Sequence, residues 1–154
     1  MSNSSPLVST HQDPVWRGRS NFIFGANLAE ENRWEQLWGR QVGDLQFEIC
    51  CIPFFVYGMA LGDVVETDDD FMFIGVLEAS KRAVFRVWFG GSSYPKDEIE
   101  TRVRELGGLV EWSSKNLMAV DAVEGETAEN VFAYLAAHHA QDHLAVETGR
   151  WNSR

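Results

Sequence analysis

His138, His139, Asp142 and His143 form the one cluster in the chain whose residue types suit a transition-metal ion. On a continuing helix His139 and His143 lie one turn apart, as do His138 and Asp142. A zinc centre needs three or four converging ligands, and a catalytic one leaves a position open. The pattern supplies half of such a set, and the His-Glu-x-x-His arrangement that would add a positioned base is absent. Histidines at a helix C-terminus also complement its dipole without any metal. His139 and His143 are therefore the metal candidates, but we expect a structural role for them and no cofactor.

Asp68-Asp69-Asp70 could offer oxygen ligands to a hard cation. A calcium loop, however, needs alternating ligands, a glycine and a late glutamate, and none of that pattern follows. A solvated hairpin tip is the plainer reading. Cys50 and Cys51 are adjacent, so on a strand they point to opposite faces. They read as small buried hydrophobes in a reducing compartment, with no histidine near them in sequence. Gly90-Gly91-Ser92-Ser93 precedes a helical stretch and could cradle an anion, but Asp97 and Glu98 follow and would oppose a phosphate. Neither Gly-x-Ser-x-Gly nor a nucleotide-binding glycine pattern is present. The chain is not expected to be an enzyme.

Charge carries more information. The net charge is −10 over 154 residues, which argues against nucleic acid or an anionic membrane as partner. The acid is unevenly spread. No Lys or Arg lies between Arg40 and Lys81, where eight carboxylates fall, and none between Lys115 and Arg150, where six fall. Brought onto one surface, Asp63, Glu66, Asp68, Asp69, Asp70, Glu124 and Glu126 would create a negative field that captures a basic protein partner. Oligomeric state is not legible. The N-terminus lacks the basic and apolar stretches of a signal peptide, and no stretch is long and apolar enough to span a bilayer. We therefore expect a cytoplasmic setting.

The elements that must position these residues follow from periodicity. Residues 1–20 are polar and predict a disordered tail. Residues 21–82 predict a β-rich half: strands near 21–24, 35–41 and 45–50, then a hairpin of Val64–Thr67 and Phe71–Glu78 with the acidic tip between them. Ile52-Pro53-Phe54-Phe55-Val56-Tyr57-Gly58 is apolar but broken by Pro, which predicts a packed crossing segment. Residues 83–151 predict β-α-β-β-α-β, a ferredoxin-like half. There Val84, Arg86 and Trp88 alternate with Phe85, Val87 and Phe89, Pro95 opens one helix and Thr127 caps the second. The class is α+β, a small curled, barrel-like antiparallel sheet followed by the ferredoxin-like half, with contacts shared between them.

Leu37-Trp38 through Gly43, Ile52 through Gly58, and Leu61-Gly62-Asp63-Val64-Val65-Glu66 together resemble the bacterial family described as domain of unknown function 4265. The resemblance runs from about Glu31 to Trp151. It implies a bacterial, cytosolic setting and supplies no activity or catalytic residues. Some small acidic domains of this kind sit beside toxin genes as immunity proteins. The expectation is thus a non-enzymatic binding protein that neutralises a basic toxin or other cationic protein. The alternatives are a small-molecule sensor with its ligand between the two halves, and, behind it, a metal-dependent enzyme built on the C-terminal histidines.

Overall fold

The computed structural model describes residues 5–152. Alternating apolar and polar residues build a first sheet from β1 (Leu7–Ser9), β2 (Phe22–Leu28), β3 (Arg33–Gly43), β4 (Gln46–Ile49), β5 (Val64–Thr67) and β6 (Phe73–Glu78). Its order is β1-β3-β4-β5-β6, with β2 also on β3, and only β1 and β3 run parallel. A parallel bridge from Gly25 to Met72 joins β2 to the approach of β6, so the sheet curls back on itself. Phe24, Leu37, Phe47, Ile49 and Val65 fill the interior. Curling needs a close approach at Gly39, where a Cβ would lie 2.8 Å from the Phe24 ring.

The second half follows in the order β7 (Arg82–Trp88), α1 (Lys96–Glu105), β8 (Leu109–Trp112), β9 (Leu117–Val123), α2 (Glu126–Ala140) and β10 (Ala145–Arg150). Its strands pair antiparallel in the order β10-β7-β9-β8. Both helices contribute to one core: Phe85, Val87, Met118 and Val120 of the sheet meet Ile99, Val103, Val131 and Leu135. Pro95 stands one position before α1, at its N-cap. α2 begins at Glu126 behind Gly125 and takes no side-chain cap, so Thr127 does not have the predicted role. The α+β class stands, with two helices and two sheets among the described residues.

Val84 and Ala119, on the helix-free side of the second sheet, pack against Ile52, Phe54 and Ala60. The Pro-broken segment 50–62 thus lies between the halves as filling rather than as a strand. One region departs from expectation. Within residues 1–20, read as a disordered tail from composition, the described part forms β1 and buries His11. The average polarity hid a few well-placed side chains. No helix among the described residues is long and apolar enough to cross a membrane.

Candidate functional site

The segment between the sheets has backbone amides but no ladder to receive them, and a buried unpaired amide is costly. Two carboxylates solve this. Glu35 Oε1 accepts from the amides of Phe55 (2.9 Å) and Val56 (3.1 Å), and Oε2 from Phe54 (2.7 Å). Glu111 Oε2 accepts from Ile52 (2.6 Å) and Val15 (3.3 Å). Between them sits His11, whose Nε2 donates to Glu35 Oε2 (2.8 Å) and Nδ1 to Glu111 Oε1 (2.7 Å). Ionised carboxylates only accept, so both ring nitrogens must carry protons and His11 is an imidazolium. Its ring stacks on Phe54 with centroids 4.1 Å apart.

Burial alone would lower the His11 pKa, but adjacent Cys51 and the bonds to Glu111 and Glu35 raise it well above 6.5. Burial would raise Glu35, yet His11 and the amides of Phe54 and Phe55 hold it below its ordinary 4.5. Cys51 approaches His11, the pairing that sequence spacing could not supply. Burial pushes its thiol up despite His11, and burial likewise pushes Cys50 up to about 11. Both thiols are free and buried. This cluster is sealed and saturated, and it joins three parts of the chain.

A second clasp ties the halves at the other end of the segment. Arg150 of β10 donates to both oxygens of Asp63, each at 2.7 Å, in a bidentate pair. Asp63 also accepts from the amides of Ala60 (2.9 Å) and Ser80 (2.7 Å). Next to it Arg82 pairs with Asp121, whose Oδ1 has no hydrogen bond. Burial outweighs the pull of Arg82 there and pushes Asp121 up to about 6.

Asp121 Oδ1 and Arg150 Nε each lack a hydrogen bond, and Arg86 of β7 lacks more. Strand alternation turns it toward the first half, directly opposite Glu147 of β10, and it is only 4% exposed. Nη2 donates to the Val56 carbonyl, while Nε and Nη1 have no hydrogen-bond partner. The nearest carboxylate oxygen, Glu147 Oε1, is 3.9 Å from Nη1, beyond hydrogen-bond range. Tyr57 lays its ring over the guanidinium, 4.6 Å from Cζ, and donates its hydroxyl to Glu147 at 2.7 Å. Burial lowers the Arg86 pKa, offset in part by Glu35, Tyr57 and Glu147. Arg86 lines a groove of about 500 Å³ whose walls include Phe54, Phe55, Trp88 and Leu117. Such a volume lies in the usual range for small-ligand sites.

The residues singled out from sequence land as follows. Asp63 is not on the surface at all, because Arg150 draws it into the interior. Asp68, Asp69 and Asp70 are exposed at the hairpin tip, where Asp68 Oδ1 accepts from the amides of Asp70 and Met72 and so holds the turn. Glu66 is half-buried on β5. Glu124 and Glu126 sit at the opposite end of β6 from that tip, since Glu124 donates its amide to Lys81. The strand between spans roughly 17 Å at about 3.3 Å per residue. The seven carboxylates therefore do not gather into one patch.

His139 and His143 are not brought together as a metal pair. α2 stops at Ala140 and Asp142 takes a left-handed φ of 61°, so the one-turn spacing is lost. His139 Nδ1 accepts from the amide of Val146, and His143 pairs instead with His138, Nδ1 to Nδ1 at 2.8 Å. Burial and then His143 push His138 below its ordinary value. Among the described residues no group of three or more His, Cys, Asp or Glu could hold a metal ion. Sequence reasoning missed His11, Glu35, Glu111 and Arg86. The signal for Glu35 and Arg86 was strand parity, since each shares a strand face with buried apolar neighbours, Leu37 in one case and Val84 in the other.

Two sheets clasped around an irregular segment, with a groove between them, make up the α+β architecture of the described residues. The chain belongs to the family described as Domain of unknown function (DUF4265), whose model matches residues 35–146. That match takes in Glu35, Asp63, Arg86 and Glu111. It leaves out His11 and Arg150. The fold is similar to that in a crystal structure of a hypothetical protein from Neisseria gonorrhoeae, with a TM-score of 0.69, 18% identity and full coverage of both chains. No curated protein matches the chain.

Proposed function

We propose that the protein is a non-enzymatic binding module that holds a small ligand in the groove between its halves. One observation carries this reading: Arg86 is a buried cation beside a largely apolar groove, with two nitrogens left without hydrogen bonds. A buried charge is usually fully paired, and perturbed groups in clefts mark functional sites. Cys51 and its neighbour His11 are both sealed from solvent, which supports binding over catalysis. Free buried thiols suit a reducing, cytoplasmic setting.

Thermal-shift screening against small metabolites tests it, because a ligand of the folded state raises the melting temperature. Ala145 lines the groove and is exposed, so Ala145→Trp should block the groove without disturbing the core. A ligand that stabilises the wild type and not this variant is the expected result. Equal stabilisation of both would place the ligand elsewhere and end the proposal.

A second reading keeps the basic protein partner, as in neutralisation of a cationic toxin. The observation favouring it is a groove of about 370 Å³ beside the hairpin tip, lined by exposed Val8, Ile23, Trp34 and Phe71 and edged by Asp70. An apolar surface edged by an exposed carboxylate fits a partner with apolar anchors and a basic neighbour. Binding to the adjacent gene's product should weaken with salt and with Asp69→Lys plus Asp70→Lys. Binding unchanged by both would overturn it.

A further inference from the structure

We propose that the groove between the halves takes an organic monocarboxylate with an aromatic or branched apolar body, its carboxylate replacing that of Glu147 against Arg86. This rests on the groove reading given above and adds the chemical class of the ligand. A guanidinium has five N–H donors, and Nε and Nη1 account for three of them. All three are without a hydrogen bond here, in a position where solvent does not reach them.

The guanidinium has no room to withdraw. A Cβ placed on Gly149 would lie 3.2 Å from both Cζ and Nη2, so bare backbone backs the group on that side. Its partner must come from the side of Tyr57 and Glu147. These two form a clasp over it, and both belong to the surface: Tyr57 is 61% exposed and the Glu147 side chain 54%. The clasp brings a carboxylate to the right neighbourhood but leaves it at 3.9 Å, held there by the Tyr57 hydroxyl. Glu147 thus stands where a better-placed carboxylate would complete the site. Swinging out two exposed side chains opens that place without disturbing either buried clasp.

Charge then selects among anions. Glu31 and Glu147 both line the groove, and among the described residues that line it Arg86 is the only cation. One guanidinium balances one negative charge, and a doubly charged phosphate would face two carboxylates with half its charge unmatched. Among the described residues, none lining the groove stands at the N-terminus of an α-helix. The rest of the lining is apolar and aromatic, from Phe54, Phe55, Trp88 and Leu117, which calls for a ring or branched chain behind the carboxylate.

The test pairs indole-3-acetate, phenylacetate and 4-methylpentanoate with their primary amides, titrated by calorimetry and by Trp fluorescence. At least one acid should bind wild type tenfold or more tightly than its amide. Glu147→Gln, which removes the internal competitor, should strengthen acid binding several-fold and leave amide binding unchanged. Arg86→Met should abolish the preference while still unfolding cooperatively. Acids and amides binding equally, in a manner blocked by Ala145→Trp, would overturn the carboxylate class and leave the groove reading standing. No binding of any acid to either wild type or Glu147→Gln at millimolar concentration would also overturn the class, with the groove reading then judged by the metabolite screen alone.

Discussion

His11 and Arg86 are cations enclosed between the same two sheets, on either side of the same segment, and their surroundings differ in one respect. Both nitrogens of His11 meet a carboxylate at hydrogen-bond distance, and those carboxylates spend their remaining acceptor sites on five backbone amides. Arg86 has one bond to a carbonyl and a carboxylate too far away. A saturated buried ion cluster holds structure together, and removing any member strands the others. An unsaturated one contributes little to stability and keeps donors in reserve. The contrast separates the part of the interface that builds the fold from the part that can bind.

The largest effect should come from breaking the saturated side. Glu35→Ala leaves three amides without acceptors and removes half of the imidazolium's compensation, so a loss of about 3–5 kcal/mol is expected in urea unfolding. A loss below about 1 kcal/mol would mean that water or a shifted backbone satisfies these groups, and the comparison would fail.

Protonation gives a smaller, graded effect. A histidine with a raised folded pKa contributes stability fully below its ordinary 6.5, and loses it as pH climbs through the raised value. Glu35, held below 4.5, contributes above that value and loses its share as pH falls through the lowered one. These two contributions therefore coincide between 4.5 and 6.5. From 6.5 up to the raised His11 value the stability should decline by about 1.4 kcal/mol per pH unit. His11→Gln should remove that decline, as read from denaturation midpoints across pH. An unchanged alkaline slope would show that His11 is not the titrating group.

The smallest change is expected where a charge is removed from the unsaturated side. Arg86→Met replaces a poorly compensated buried cation with an apolar chain of similar length, so stability should stay within about 1 kcal/mol of wild type. A loss comparable to that of Glu35→Ala would make Arg86 a structural member of the interface and erase the distinction drawn between the two cations.

Much of this molecule could be read along the chain. Val64–Thr67 falls where period and turn residues placed it, and the apolar segment after Ile52 is the packed crossing that Pro53 demanded. The acidic hairpin tip is where the aspartates predicted it. The site was much less legible. Asp63 looked like surface charge because nothing local marks its partner, which lies 87 residues further on. His11 looked like part of a polar tail for the same reason, since one of its carboxylates is 24 residues away and the other 100.

The sequence by itself determined the α+β class, the hairpin, both helices and the excess of acid, because each depends on residues within a few positions of one another. Tertiary structure alone decided which charges face inward and which of them are matched. Ion pairing is a relation between side chains brought close in space, and neither period nor composition records the distance between residues on separate sheets. Whether a charged residue supports the fold or remains open to a ligand depends on that distance.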